Sequence, residues 1–249
     1  MPEVAKTKLE NILYLRDLFL QENNFQIRYN ARHERGWTDS YLITYNGQNI
    51  GYGSVAGFEN HTDRNDVFEF YIIPTFRRLA PVAFIELLQA SKSIYMECQT
   101  NDVLLTQLVY EYGQNIKTGT VLLGEHTTTA LSANNAIFRK RTDADTLFEH
   151  KAEPEGAYVL ELNNRVIATG DFLLHYNIPF ADLYMEVEES YCKQGYGSYL
   201  IQELKKECYL HGRVPAARTG TNNTASRATL IKAGLKVVGY MLSAEVKQG

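Results

Sequence analysis

The run Lys193-Gln194-Gly195-Tyr196-Gly197-Ser198 sets two glycines between a β-rich segment, Leu183 to Val187, and a helical pattern carrying Leu200, Ile201 and Leu204. A loop of this kind turns its N–H groups toward an anion. The missing side chains admit close approach, and the helix N-terminus adds about half a positive charge. The chemistry suggested is the holding of a phosphate. The tetrapeptide Gly51-Tyr52-Gly53-Ser54 repeats the glycine spacing inside a strand-like run, where it indicates only a close-packed sheet. On the segment before the second copy, Asp182 and Glu186 alternate onto one face, opposite Met185 and Val187. Either carboxylate could act as a general base, directly or through water.

Downstream, Asn222-Asn223-Thr224-Ala225-Ser226 opens a second helical run that passes Leu230, Ile231 and Lys232 and stops at Gly234. With this second signal, residues 136 to 249 resemble the GNAT superfamily of N-acetyltransferases. That family has a motif of type R/Q-x-x-G-x-G/A and an N-x-A-S helix ending in K-x-G-F. The resemblance implies that backbone groups of Met185 and Val187 bind the acetyl carbonyl and pantetheine arm of acetyl-CoA, the co-substrate. It implies that N–H groups of Gln194, Gly195, Tyr196, Gly197 and Ser198 hold the pyrophosphate, and that Asn223 and Ser226 lie beside the pantetheine and thiol end. Lys193 and Arg227 would add charge near the phosphates.

The chain departs from the family pattern at three places. Cys192 stands where the motif begins with Arg or Gln. Leu230 replaces a tyrosine that in many members protonates the departing thiolate, and leucine has no proton to give. Ala181 falls where some members place a glutamate base. A late tyrosine, Tyr240, is a further candidate proton donor.

These groups need elements to hold them. Apolar spacing predicts a helix over 6 to 22, a hairpin from Ser40 to Val55 around Asn46 to Asn49, a strand over 67 to 73, and a helix opened by Pro81. A strand at 94 to 98 follows, then a helix capped by Asp102 and ended by Gly113. Ser132 to Asn135 looks like a domain junction. Beyond it the order begins again, with strands over 158 to 162, 166 to 174 and 183 to 187, and the resemblance implies an opening strand at Ala136 to Lys140 and the start of a trimmed first helix at Thr142 to Asp145.

The stretch from Pro74 to Val82 lies over Glu189 to Gly197 at an offset of 115 residues, so the strand-loop-helix unit is duplicated. In the first copy Arg78, Ala80 and Val82 occupy the loop, and Pro81 removes an N–H donor. We expect an α+β fold of two tandem GNAT-like domains, 1–131 and 132–249. Each is a mixed, mostly antiparallel sheet flanked by helices, and the first does not hold pyrophosphate.

The net charge of −4 lacks the basic excess that would favour nucleic acid. Three cysteines without CxxC spacing and six scattered histidines give no disulfide framework or metal site. No apolar run resembles a signal peptide or membrane span, which points to the cytoplasm. The expectation is acyl transfer from acetyl-CoA to a primary amine on a small molecule or protein, with a homodimer possible. A non-catalytic acyl-CoA-binding or sensing module, or a purely structural pair of domains, is the alternative.

Overall fold

The structure, a computed structural model, describes residues 1–23, 25, 30–133, 135–151 and 154–247. Strand β1 (Glu3–Thr7) leads through a 3-10 turn into α1 (Leu13–Asn23) and α2 (Asn30–Glu34). Next come β2 (Asp39–Tyr45), β3 (Gln48–Ala56), β4 (Asp66–Ile72), α3 (Ala80–Ser91), β5 (Tyr95–Gln99) and α4 (Val103–Tyr112). The long β6 (Gly113–Glu125) precedes β7 (Ala136–Lys140), β8 (Tyr158–Leu162), β9 (Arg165–Leu173) and β10 (Phe180–Val187). The chain closes with α5 (Tyr196–Leu210), β11 (Val214–Gly220), α6 (Thr224–Lys232) and β12 (Leu235–Val246).

The chain forms two compact units. One is built mainly from residues before Val121 together with a C-terminal segment beginning at Gly239, and the other is Val121–Val238. In the first unit the strands run β1-β2-β3-β4-β5-β12; in the second they run β6-β11-β10-β9-β8-β7. Each unit has three successive antiparallel pairings followed by a parallel one, β4 with β5 and β10 with β11. This is the α+β, mostly antiparallel arrangement expected.

Local sequence explains the turns. Asn46 and Gly47 (φ 49° and 76°) close the β2–β3 hairpin, and Asn163 with Asn164 (φ 51° and 61°) close β8–β9, the residues that best tolerate the left-handed region. Asp102 caps α4 by accepting from the Leu105 N–H at 3.0 Å. In β3, a Cβ on Gly53 would lie 2.3 Å from Leu87, so that glycine serves sheet-helix packing.

Four expectations require correction. Residues 3–7 form a strand paired with β2, and the helix starts only at Leu13. Hydrogen bonding to an edge, with mostly exposed side chains, decided this where apolar spacing suggested a helix. Thr142 to Asp145 form a turn, since the Asp145 carboxylate accepts from the Thr142 N–H at 2.7 Å and is gripped by Arg139. The change of unit falls inside β6, ahead of the polar segment at 132–135, in which Asn134 lies outside the described residues. The segment from Gly239 belongs to the first unit, where Met241 to Glu245 pair with β5, so the boundary 131/132 does not divide the chain as expected.

One core of the first unit packs α3 and α4 on the sheet through Phe70, Phe84, Leu87 and Leu108. A second aromatic core lies under α1 and surrounds a fully buried carboxylate. Glu69 accepts two hydrogen bonds from Arg16 Nε and one from Nη2 at 3.0 to 3.2 Å, and one from the Tyr52 hydroxyl at 3.0 Å. His33 Nε2 lies 3.2 Å from it. Burial alone would raise its pKa, but the charges of Arg16 and His33 outweigh burial and hold it well below the usual range. Its contribution to stability is therefore present above the ordinary glutamate pKa and is lost as pH falls toward the depressed value. Replacing Arg16 with Leu strands this charge, and urea denaturation at pH 7 should show a loss of about 3–5 kcal/mol. The deficit should shrink at acid pH as Glu69 protonates.

Candidate active site

Strand β10 pairs with β11 from Phe180↔Val214 to Leu183↔Ala217, while on its other side it stays paired with β9 as far as Val187↔Ala168. Both β10 and β11 continue past the last parallel pair, to Val187 and Gly220. Beyond Leu183 the two strands therefore diverge, and β10 presents an edge of backbone groups with no strand partner. A groove of about 1070 Å³ opens beside this edge, floored by Met185, Glu186 and Val187 and continuing along Lys193, Gly195 and Gly197 to the start of α6.

The glycine loop forms one wall. Lys193 and Gly195 both take positive φ, 62° and 93°, so the peptides between them alternate in hand as in an anion-binding nest. Gly195 is the N-cap of α5 and supplies no side-chain acceptor, leaving the first N–H groups of a 15-residue helix without intrahelical partners. A Cβ at Gly195 would meet only Lys232 Nζ, at 3.7 Å, so the space in front of it is open. Gly197 differs. A Cβ there would lie 3.1 to 3.3 Å from Thr229, Met185 and Val187, so this glycine lets α5 seat tightly on β10.

Asn223 caps α6, its carboxamide oxygen accepting from the Ser226 N–H at 3.0 Å, and both residues border the groove. Ser198 is buried and donates its hydroxyl to the Thr229 carbonyl at 3.1 Å. Gln194 donates to the Ser190 carbonyl at 3.0 Å, and Tyr196 stacks edge-on against Tyr191. The side chains of Gln194, Tyr196 and Ser198 thus hold the loop, and only backbone groups there remain for a ligand. Arg227 is not among the described residues bounding the groove. Lys232 and Lys151 are among them, and sequence reasoning gave neither a role. For Lys232 the signal existed, in the Lys-x-Gly that ends the second helix.

Asp182 and Glu186 do share a face of β10, but their surroundings differ. Both line a smaller cavity of about 250 Å³ that also contains Tyr184 and Arg218. Glu186 and Met185 border both this cavity and the groove. Glu186 is half-buried and accepts from the Lys151 N–H at 2.9 Å. Asp182 is 5% exposed, with Oδ2 accepting from Arg218 Nε at 2.9 Å and Oδ1 lacking a hydrogen-bond partner. Arg218 also donates to the Tyr176 hydroxyl. Burial pushes the Asp182 pKa up to about 6 against the opposing pull of Arg218 and, more weakly, Tyr176. No sequence signal marks Arg218, because the register Asp182↔Ala216 is what brings it there.

The family pattern's departures also find places. Cys192 is exposed beside the groove, its Sγ 3.6 Å from the Val187 carbonyl. Leu230 and Ala181 are buried in the core of the second unit. Tyr240 lies in the segment that belongs to the first unit.

Residues 126–234 match the model of the acetyltransferase (GNAT) family. That stretch of the chain is a GNAT-family domain. Among curated proteins none matches the chain. Among solved structures it is similar to a GNAT-family acetyltransferase from Colwellia psychrerythraea, 15% identical over 98% of this chain and 100% of the other, with a TM-score of 0.77. A GCN5-related N-acetyltransferase from Sphaerobacter thermophilus is 11% identical over 100% and 96%, with a TM-score of 0.62. A tandem GNAT protein from the clavulanic acid biosynthesis pathway is 10% identical over the whole of both chains, with a TM-score of 0.61. At these identities the likeness shows the fold, a tandem GNAT arrangement.

In the first GNAT-like unit the corresponding segment has no nest. Pro74–Leu79 is a 3-10 helix running directly into α3, and Leu79 and Ala80 (φ −90° and −56°) keep right-handed backbone where Gln194 and Gly195 open the loop. All seven residues of β4 are buried, whereas the last four of β10 are only half-buried. Side chains fill in one unit what stands open in the other.

A carboxyl titration followed by carbon-13 NMR should place the Asp182 midpoint near 6 in the wild type. In Arg218→Gln, where the main opposing charge is gone, it should move higher. A midpoint in the ordinary aspartate range would overturn the environment described.

Proposed function

We propose that the second unit transfers an acetyl or other short acyl group from acetyl-CoA to a primary amine. The carrying observation is the open edge of β10 leading into an uncapped, glycine-turned helix N-terminus, a backbone surface suited to an extended arm ending in phosphates. The fit is chemical as well as spatial: Lys193, Lys232 and Lys151 border the groove and offer cations to a polyanion. In this reading Met185 and Val187 provide backbone hydrogen bonds for the arm and the thioester carbonyl, residues 194–198 provide N–H groups for the pyrophosphate, and Asn223 and Ser226 flank the arm. N–H groups fixed at a thioester oxygen stabilise the negative charge that develops there.

Glu186 is the proposed base, because it borders both cavities and so stands where an acceptor entering one would meet an acyl group held in the other. The amine nitrogen attacks the carbonyl carbon, the C–N bond forms, the C–S bond breaks and the amine's proton passes to Glu186. With Leu230 in the core, the departing thiolate takes its proton from solvent. A base so placed contributes about a hundredfold to ten-thousandfold.

A second reading, an acyl-CoA-binding module without turnover, is favoured by one observation: Leu230 and Ala181 supply neither a proton donor nor a carboxylate at the family's usual positions. Release of free CoA in the presence of amines separates the two. Among the described residues no helix is long and apolar enough to cross a membrane. A cytoplasmic setting, a protein as well as a small-molecule acceptor, and a homodimer belong to the same proposal.

Calorimetric titration with acetyl-CoA should saturate at one equivalent per chain, since the first unit's loop is helical and its β4 fully covered. Two equivalent sites would contradict the assignment. Glu186→Gln should lower the rate at pH 7 by about a hundredfold or more with acetyl-CoA affinity nearly unchanged. Raising the pH should restore part of it by deprotonating the amine in solution. Wild-type rate and profile in this variant would remove Glu186 from the mechanism.

A further inference from the structure

The smaller cavity carries a feature that the proposed chemistry leaves unused. Asp182 is almost wholly buried, lines the cavity, and keeps one carboxylate oxygen, Oδ1, without a hydrogen-bond partner, while Oδ2 is held by Arg218. A buried acceptor atom left unpaired costs free energy unless a donor arrives. Arg218 is engaged twice over, by Asp182 and by the Tyr176 hydroxyl. Its charge is thus largely spent within the chain. The cavity's charged lining is two carboxylates against this one guanidinium, so it favours a cation over an anion.

Geometry limits what the cation belongs to. Asp182 and Glu186 are four residues apart on one strand, about 13 Å between Cα atoms at roughly 3.3 Å per residue. Their side chains reach toward a common cavity of about 250 Å³, room for roughly eight groups the size of a water molecule. A linear molecule with a reacting amine at one end and a second donor at the other fits that volume, and bridges the two carboxylates where their own side chains cover the rest of the Cα separation.

We propose that the acceptor is a short linear diamine, with its reacting amine at Glu186 and its distal ammonium docked on Asp182 Oδ1. This rests on the acyl-transfer reading for what happens at Glu186, but not for the docking itself. Asp182 is then a specificity-determining residue, and Glu186 the catalytic one.

The test uses the full chain with acetyl-CoA and three matched probes: 1,5-diaminopentane, n-pentylamine and 5-aminopentanoate. Expected is a kcat/KM for the diamine about tenfold to a hundredfold above the monoamine, the range for a charge-assisted hydrogen bond, with the amino acid poorest. The advantage should lie in KM, and should collapse to within about threefold in Asp182→Asn. Acetyl-CoA affinity, measured on the same variant, reports whether its fold is intact, and the wild-type ranking stands without the variant. Calorimetry of the diamine against the CoA-loaded protein is the arm independent of turnover. Binding that Asp182→Asn abolishes, without transfer, upholds the docking and overturns the acyl-transfer reading. Transfer to the monoamine or the amino acid as good as to the diamine overturns the docking and leaves that reading standing. No diamine binding and no transfer to any amine overturns both.

Discussion

The second unit depends on a single interruption of hydrogen bonding. A strand pair normally satisfies the backbone groups of both partners along their whole length, and a buried edge left unpaired is costly. β10 and β11 stop pairing at Leu183 and Ala217 although both strands continue. The groove, the half-burial of Tyr184 to Val187 and the access of Glu186 to two cavities all follow from that divergence. The edge is tolerated because the groove reaches solvent, so water or a ligand can meet its N–H and C=O groups.

The same divergence occurs in the first unit, where parallel pairing of β4 and β5 spans only Asp66↔Tyr95 and Val67↔Met96. There the wedge is closed by side chains. Phe70 packs edge-on against Phe84 at 5.0 Å, and Met96 and Leu108 join the same core. At the end of β4, Arg77 bonds the Ile72 carbonyl and pairs with Glu22, so a charge borne on the loop is consumed internally. One backbone plan thus supports a ligand groove or a filled core. The choice is made by residue size along one strand and by whether the following loop can adopt positive φ.

Much of this was legible in the sequence, for reasons that differ by element. The hairpins announced themselves through Asn-Gly and Asn-Asn turns, the α4 cap through Asp102, and the loop before α5 through glycines set before a helix. These are local signals, complete within a few residues. β1 was missed because an edge strand with exposed charged residues shows no apolar alternation, and only its partner β2 makes it a strand. The passage between units was missed because it lies within a continuous strand, β6, with no change of element to mark it. The pairing of Arg218 with Asp182 could not be read at all, since residues 36 apart meet only through the register of a parallel pair.

That difference in legibility mirrors a division of labour in the site. The surface along the larger groove is mostly backbone: an open strand edge, a nest around Gly195 and the first N–H groups of α5. Backbone donors are fixed by fold and by a few φ angles, so they persist when side chains such as Cys192 change. The smaller cavity is built from side chains whose properties arise from neighbours. Asp182 has an elevated pKa because it is buried, ionises near neutrality because Arg218 opposes that burial, and retains a free oxygen because Arg218 approaches from one side only. Glu186, four residues along and half-buried, is instead held by the Lys151 N–H and faces both cavities. Two carboxylates on one face of one strand are thereby given different surroundings by burial and by a single guanidinium.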